Sequence, residues 1–201
     1  RMRELLKRRG TGEPIAYILG DWSFRDLQLT VTPDVLIPRP ETEELVELVL
    51  AVLPEGGRLL DLGTGSGAIA LSVAQERPDA RVAATDVSEA ALAVAQQNAD
   101  ALDLGERVEL HLGSWWDAVP AGDAFQVVVS NPPYVDPGQP EQLESVVRDH
   151  EPHVALFTPE GDPGAPYRDI AMGCWGGRVP GGWLLVESGR AAMEATVQAI
   201  E

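Results

Sequence analysis

Short apolar runs alternate with longer amphipathic stretches along most of this chain. Each run has the length of one buried strand, and the stretches between most of them carry apolar residues at helical spacing. The predicted strands are Arg58 to Asp61, Val82 to Asp86, Val108 to Leu112, Phe125 to Ser130 and Trp183 to Glu187. Strands joined through helices pair in parallel by right-handed crossovers. The pattern therefore predicts an α/β fold with a mostly parallel sheet and flanking helices.

Residues that favour helix ends mark the boundaries of the predicted helices. The helix after the first strand is predicted to stop before Pro78, which cannot continue it. The next helix is predicted to begin after Ser88, a good N-cap residue, and to run to about Leu102. A further helix is predicted to begin near Pro40, because glutamates in its first turn complement the positive end of its dipole.

A segment in which apolar and polar residues alternate precedes the predicted strands and helices. Leu27, Leu29 and Val31 are separated by single polar residues, which is typical of a strand with one buried face. We therefore expect a β-hairpin between Trp22 and Ile37.

Composition restricts the class of protein. With 201 residues, of which 44% are hydrophobic, the chain is long enough for one substantial core. The single cysteine, Cys174, excludes an internal disulfide and a cysteine-based metal cluster. The sequence has neither a secretory signal nor an apolar run long enough to cross a membrane, so we expect a cytoplasmic protein. Because it starts with Arg1 rather than Met, we expect a trimmed N-terminus.

Charge is distributed unevenly along the chain. The net charge is −17, yet five of the 15 basic residues and only one of the 32 acidic residues precede Gly10. Nucleic-acid binding requires clustered Lys and Arg to neutralise phosphates, so the acidic body is not expected to bind nucleic acid directly. No membrane partner is expected either.

The segment "LLDLGTGSGAIAL" carries the first candidate site. A strand ends at Asp61, and Gly63, Gly65 and Gly67 follow in the turn before a helix, where missing Cβ atoms allow a ligand to approach the backbone. The same glycines fit the dinucleotide pattern G-x-G-x-x-G/A, and a tight strand-to-helix turn without a ligand explains them equally well. Asp86 ends the second strand at the distance where an acidic residue receives ribose hydroxyls. The two features together indicate a nucleoside but leave nicotinamide and S-adenosylmethionine open.

The segment "SNPPYV" favours the methyl donor. Asn131 ends the fourth strand at the sheet edge where the glycine turn lies, so it faces the cofactor. The prolines hold the backbone rigid, so that the Asn131 side-chain oxygen and the Pro132 carbonyl form two fixed acceptors for an NH2 group. Tyr134 would offer an aromatic face to the planar group or the sulfonium. Hydride transfer gives no reason for such an arrangement.

These motifs, together with "GEPIAYILG" from Gly12, "LIPRPETEELVE" from Leu36 and "RDHEPHVALF" from Arg148, resemble the bacterial release-factor glutamine methyltransferases of the HemK/PrmC family. The resemblance implies a Rossmann-like methyltransferase fold and S-adenosylmethionine as cofactor, with S-adenosylhomocysteine as product. It implies in-line methylation of the side-chain amide nitrogen of the glutamine in the Gly-Gly-Gln motif of peptide chain release factors.

The resemblance also implies roles for individual residues. Those expected to bind the cofactor are Gly63, Thr64, Gly65, Ser66, Gly67, Asp86, Trp115 and Asn131. Those expected to act in catalysis are Asn131, Pro132 and Tyr134. Those expected to bind the substrate are Asn131, Pro132, Pro133, Tyr134, Arg39 and Glu41. For Trp115 a core position is the alternative, and Trp116 next to it competes for the same role. Arg148 and Glu151 are expected to be structural, and no metal is assigned.

Compared with the family, both ends of the chain are expected to be incomplete. We interpret residues 1–40 as the remnant of an N-terminal substrate-binding region that includes the hairpin. Residues 41–201 are interpreted as the cofactor-binding domain, without the antiparallel strands that usually follow the helix near Glu201.

Three alternatives remain open at this point. A ribosomal-protein glutamine methyltransferase would use the same amide chemistry, although the Pro-Arg-Pro-Glu-Thr-Glu segment from Pro38 favours the release-factor branch. An adenine or guanine N-methyltransferase of nucleic acid would also suit "NPPY". A non-catalytic nucleoside-binding subunit would have no need of an intact Asn131 to Tyr134.

Overall fold

A five-stranded parallel sheet lies at the centre of the computed structural model, which describes residues 2–174, 179, 181–189 and 193–200. Its strands are β3 (Arg58–Leu62), β4 (Arg81–Asp86), β5 (Val108–Leu112), β6 (Val127–Ser130) and β7 (Trp183–Val186). They are arranged in the order β5-β4-β3-β6-β7, and each neighbouring pair is parallel. The predicted α/β fold with a mostly parallel sheet is confirmed, and the predicted strands match within two residues at each end.

Helices cover both faces of this sheet. Among the described residues they are α1 (Met2–Gly10), α2 (Ile15–Leu19), α3 (Pro40–Val52), α4 (Ala68–Glu76), α5 (Glu89–Ala101), α6 (Ser145–Arg148), α7 (His153–Leu156), α8 (Ala165–Gly173) and α9 (Met193–Ile200). The Ser88 hydroxyl accepts a hydrogen bond from the Ala91 N–H, which confirms the predicted N-cap of α5. Helix α4 ends two residues before Pro78, and α3 begins at Pro40, as predicted.

The core strands are buried on both faces, which explains why their sequences are continuously apolar rather than alternating. Leu59, Val127 and Val129 pack with α3, α4 and α5 on one face. Leu60 and Val128 pack on the other face. No helix within the described residues is long and apolar enough to cross a membrane.

The predicted hairpin is present as β1 (Asp21–Phe24) and β2 (Leu27–Thr30), paired antiparallel. Its strand β2 is attached to the sheet through Asn98 of α5, whose side chain exchanges hydrogen bonds with the Thr30 backbone and donates to the Ser66 carbonyl. The buried Asn98 amide thereby connects the hairpin to the glycine turn.

The strand order places β3 at the centre of the sheet, with β4 on one side and β6 on the other. The chain continues from β3 to β4 on one side of the sheet and from β6 to β7 on the other. In α/β proteins, ligands bind in the crevice that such a reversal opens at the carboxyl ends of the strands. The predicted helix end at Glu201 lies outside the described residues, as does part of the segment after Cys174.

Candidate functional site

A cavity of about 460 Å³ opens at this crevice, within the range of roughly 300–1,000 Å³ typical of small-molecule sites. Ten of the residues predicted from the sequence line it: Arg39, Gly63, Thr64, Gly65, Ser66, Asp86, Trp115, Asn131, Pro132 and Pro133. Gly67, Glu41 and Tyr134 are not among its lining residues. The structure thus brings the glycine turn and the Asn-Pro-Pro segment to one cavity.

The glycine turn is held under the cavity by the neighbouring strand. The N–H groups of Gly63 and Thr64 both donate to the Thr85 carbonyl at 2.9 Å. Gly63 and Gly65 have φ angles of 77° and 58°, a region that strains any residue with a side chain. A Cβ on Gly65 would meet nothing within 4 Å, so the face of Gly65 that a side chain would occupy is open. The turn therefore leaves room for a ligand against the backbone.

Gly67 serves packing rather than the cavity. Its φ angle is 85°, and a Cβ at this position would lie 2.8 Å from Leu71 Cδ1. Gly67 immediately precedes α4, to which Leu71 belongs, and the same Cβ would lie 3.4 Å from Ala95 Cβ of α5. The G-x-G-x-G spacing thus combines two cavity positions with one helix-packing position.

Asp86 forms the wall beside the turn. Its Oδ2 accepts from the Gly65 N–H and its Oδ1 from the Ser88 N–H, both at 2.9 Å. Burial raises its pKa above the ordinary value, while these backbone hydrogen bonds act in the opposite direction. Each carboxylate oxygen can accept more than one hydrogen bond, so lone pairs remain for hydroxyl donors from the cavity.

Two buried oxygens beneath the turn have no hydrogen-bond partner among the described residues. They are Asp61 Oδ1 and Thr85 Oγ1, and Thr85 lines the cavity. The other Asp61 oxygen accepts from the Thr64 hydroxyl at 2.7 Å. Unpartnered buried oxygens are uncommon because they forfeit their hydration. Of the two, only Thr85 lines the cavity, so its hydroxyl is the one that a polar ligand there could reach.

The buried Asp61 predicts how stability depends on pH. Burial raises the pKa of Asp61 to about 7, compared with about 3.9 in an unfolded chain. Between these values the folded protein binds more protons than the unfolded chain, so stability falls as pH rises. Between pH 5 and pH 8, we expect the free energy of unfolding of the wild type to fall by on the order of 3 kcal/mol relative to that of Asp61→Asn. The measurement is urea unfolding without ligand. A difference between the two proteins that is the same at both pH values would contradict this.

The two adjacent tryptophans have different environments. Trp115 lines the cavity, and a Cβ on Gly63 would lie 3.4 Å from its ring. Trp116 is buried in the core, where its Nε1 donates to the Ile170 carbonyl at 2.7 Å. Of the two, Trp115 is therefore the one that can cover a ligand on the glycine turn.

Asn131 follows β6 and contacts two other elements. Its Nδ2 donates to the Thr42 hydroxyl of α3 at 3.2 Å, and that hydroxyl donates to Glu187 Oε2 at 2.7 Å. Burial raises the pKa of Glu187, while the hydrogen bonds from Thr42 and Asn131 lower it. Because Nδ2 is engaged with Thr42, Oδ1 is the Asn131 atom suited to accept hydrogen bonds in the cavity.

The residues after Asn131 form part of the cavity wall. Pro132 is buried, and Val135 pairs in parallel with Phe157, which also lines the cavity. Tyr134 packs behind this wall, where a Cβ on Gly189 would lie 2.7 Å from its ring, and burial raises its pKa. Tyr134 is not among the residues that line the cavity, because its ring lies against Gly189, and its contact with a substrate stays a prediction.

The segment before α3 is anchored by a buried carboxylate. Glu151 accepts from Arg39 Nη2 at 2.7 Å and from the Ile37 N–H at 3.1 Å, and its side chain is 1% exposed. Arg39 lines the cavity, whereas Glu41 is exposed in the first turn of α3. Glu151 is structural, as expected from the sequence, because it fixes the loop that carries Arg39.

Sequence reasoning missed several residues of the site. The opposite wall is formed by residues 152–159, with Val154 and Phe157 facing the cavity, and Thr42 and Thr85 also line it. In the sequence, Thr42 is one polar residue in a charged first turn and the wall segment has no periodic pattern, so neither carried a signal that points to the site. Among the described residues, no group of three or more metal-ligating side chains comes together.

Comparisons with known proteins agree on one family. The family model "Methyltransferase small domain" matches residues 42–150. A release factor glutamine methyltransferase of Neisseria gonorrhoeae is 50% identical over 190 residues, which cover 94% of this chain and 68% of that protein. The protein of the same name from Bordetella pertussis is 48% identical, over 96% of this chain and 71% of its own length.

Solved structures agree on the fold. The hMettl16 catalytic domain, in complex with a 3'UTR hairpin, superimposes with a TM-score of 0.70 at 14% identity, over 92% of this chain and 71% of that one. TrmN from Thermus thermophilus superimposes with a TM-score of 0.57 at 24% identity, over 85% of this chain and 42% of that one. Likeness at this level of identity supports the Rossmann-like methyltransferase fold alone. The family is shown by sequence: the 50% identity to a named relative, over 68% of that protein's length, shows that this chain belongs to the release factor glutamine methyltransferase family.

Proposed function

We propose that this chain transfers the methyl group of S-adenosylmethionine to the side-chain amide nitrogen of the glutamine in the Gly-Gly-Gln motif of peptide chain release factors. The observation that carries the proposal is that a nucleoside-type half and an amide-type half share one cavity. Asp86 and the glycine turn belong to the first half, and Asn131 and Pro132 to the second. The names of the similar proteins support the choice of substrate.

The residues of the first half fit the cofactor. Asp86 offers free lone pairs to the ribose hydroxyls, Trp115 offers an aromatic face to the adenine, and the open backbone at Gly65 admits the methionine portion. The unpartnered Thr85 hydroxyl lies in the same part of the cavity lining and can hydrogen-bond to a polar group of the cofactor. When bound, S-adenosylmethionine would supply an electrophilic methyl group for transfer to the amide nitrogen, with S-adenosylhomocysteine as the leaving group.

The residues of the second half position the amide. Asn131 Oδ1 and the Pro132 carbonyl are acceptors on a rigid backbone, so they can hold both hydrogens of a primary amide and aim its nitrogen into the cavity. An amide lone pair is delocalised into the carbonyl, and gripping the two hydrogens favours the pyramidal geometry that releases it. The reaction needs no strong base, because the nitrogen becomes acidic as its bond to carbon forms and its proton passes to water. The chain contributes positioning and exclusion of water.

The proposed substrate places the reaction in the cytoplasm, where release factors act on ribosomes. Arg39 and the wall at residues 152–159 line the cavity and would meet the polypeptide that carries the glutamine. The body of the chain is strongly acidic, which favours a protein over nucleic acid as the partner.

A comparison of three substrates tests the proposal. Purified release factor, ribosomal RNA and ribosomal proteins are incubated separately with this protein and methyl-labelled cofactor. We expect label in the release factor at a rate at least on the order of a hundredfold above that in the other two, since only it presents a glutamine in the matching context. Preferential labelling of ribosomal protein or RNA would overturn the choice of substrate.

A further inference from the structure

We propose that Thr42 and Glu187 are positioning residues that determine which end of the Asn131 amide faces the cavity. The inference rests on the proposed function, because it concerns how Asn131 is presented to a substrate amide. Neither Thr42 nor Glu187 is expected to react with the substrate, and both would act through Asn131.

Three elements bring these side chains together. Asn131 follows β6 and Glu187 follows the neighbouring strand β7, where Ser130 is paired with Val186. The Glu187 N–H donates to the Ser130 carbonyl at 3.0 Å, which fixes the two strand ends relative to each other. Thr42 reaches them from the first turn of α3 and is only 4% exposed. The group therefore stands on the rigid end of the sheet and not on a loop.

The direction of the hydrogen bonds follows from the chemistry at one end. An ionised carboxylate can only accept, so the Thr42 hydroxyl must donate its single proton to Glu187, as its 2.7 Å contact shows. With its proton used, the Thr42 oxygen can only accept from Asn131. Asn131 must then turn its NH2 group toward Thr42 and toward Glu187, to which it also hydrogen-bonds directly, and its oxygen away from both. Glu187, which accepts at one end of this series of hydrogen bonds, thus sets the orientation of the Asn131 amide at the other end.

The orientation matters because an asparagine amide has nearly the same shape in either of its two orientations. If the amide were reversed, its NH2 group would face the NH2 group of the substrate glutamine, and two donors would oppose each other. The substrate would lose one of its two acceptors, and the nitrogen would no longer be aimed. Loss of the Thr42–Glu187 pair should therefore lower turnover through Asn131 while leaving the cofactor half of the cavity intact.

Matched pairs of variants test this role in release-factor methylation. Thr42→Val keeps the shape of threonine without its hydroxyl, and Thr42→Ser keeps the hydroxyl. Glu187→Met removes the acceptor at similar size, and Glu187→Gln retains an oxygen that can accept from Thr42. We expect kcat to fall about tenfold or more in the Val and Met variants, with cofactor affinity within about twofold, and most of the activity to be retained in the Ser and Gln variants. Equal loss in both members of each pair would overturn the proposal.

A double-mutant cycle identifies Asn131 as the intermediary. If Thr42 acts through Asn131, then adding Thr42→Val to Asn131→Ala should lower kcat little further. Losses that multiply in full would show that Thr42 acts independently, which would contradict the proposal.

A measurement without substrate separates this inference from the proposed function. The Asn131 side-chain NH2 signal is identified in a ¹⁵N-labelled protein by its absence in Asn131→Ala. Its hydrogen exchange should be slowed in the wild type and in Thr42→Ser, and should be accelerated in Thr42→Val and Glu187→Met. Exchange that is unchanged by Glu187→Met would overturn the positioning role. A wild type that shows this pattern but does not label release factor would instead contradict the proposed function alone.

Discussion

Replacing Asn131 with alanine should lower the turnover of methyl transfer by about a hundredfold or more while cofactor affinity changes little. The substitution removes one of the two acceptors assigned to the substrate amide, so the nitrogen is no longer held in line with the methyl group. The contacts assigned to the nucleoside remain in place, because Asp86 ends β4 and Trp115 begins a short 3-10 helix after β5. The measurement is single-turnover methylation of release factor, together with calorimetric titration of the cofactor.

The experiment distinguishes between two roles of Asn131, contact with the cofactor and contact with the substrate amide. Sequence reasoning counted Asn131 both among the residues that face the cofactor and among those that hold the substrate. If its main role is to contact the cofactor, then affinity and turnover should fall together. A comparable loss of both would show that the amide-binding role is assigned to the wrong residue.

Replacing Gly65 with valine should abolish measurable binding of S-adenosylmethionine. The side chain would enter the open space above the turn, and its β-branch would be strained at a φ angle of 58°. Because the Gly65 N–H also donates to Asp86, a shift of the turn would disturb the carboxylate assigned to the ribose. Calorimetry should show a loss of affinity on the order of a hundredfold or more, and NAD should bind to neither form.

A matched variant separates strain from occupation of the cavity. Gly56 has a φ angle of 66°, and a Cβ there would also meet nothing within 4 Å, but the residue does not line the cavity. Gly56→Val therefore carries similar backbone strain at a distance from the site. Its stability should fall as in Gly65→Val, while its cofactor affinity should remain near that of the wild type. Equal losses of affinity in the two variants would contradict a cofactor site at Gly65.

The fold was predictable because its strands are buried on both faces. Such strands are apolar runs that carry a polar residue at or next to their carboxyl end, namely Asp61, Asp86 and Ser130, and these residues are visible in the sequence. Parallel strands all end at one edge, so residues that follow different strands could be assigned to one site from the sequence alone. This is why the glycine turn and Asn131 were correctly expected to lie near each other.

Contacts that depend on packing could not be predicted in the same way. Trp115 and Trp116 are adjacent in sequence, and only the positive φ angle of Trp115 and the bond from Trp116 to Ile170 separate the cavity residue from the core residue. Tyr134 follows two prolines that line the cavity, yet its ring packs against the backbone at Gly189.

The pair of Thr42 and Glu187 illustrates the same limit over a longer distance. The two residues are 145 positions apart, and their hydrogen bond exists only because α3 crosses the ends of β6 and β7. In sequence, Thr42 is one polar residue in a charged first turn, and Glu187 is the last residue of a predicted strand. Nothing in local composition or spacing connects them, so a role that acts through Asn131 becomes visible only in three dimensions.

The most direct test of the account is to locate the transferred methyl group. Wild-type release factor and its Gln→Glu and Gln→Asn variants in the Gly-Gly-Gln motif are incubated with labelled cofactor, and the methyl group is located by mass spectrometry. Glutamate presents an oxygen where the site requires a donor, and asparagine withdraws the amide by one methylene from a methyl carbon that must be met in line. The account predicts methylation of the glutamine amide nitrogen in the wild type, none in Gln→Glu and severely slowed transfer in Gln→Asn. Equal labelling of all three, or a methyl group on another residue, would contradict it.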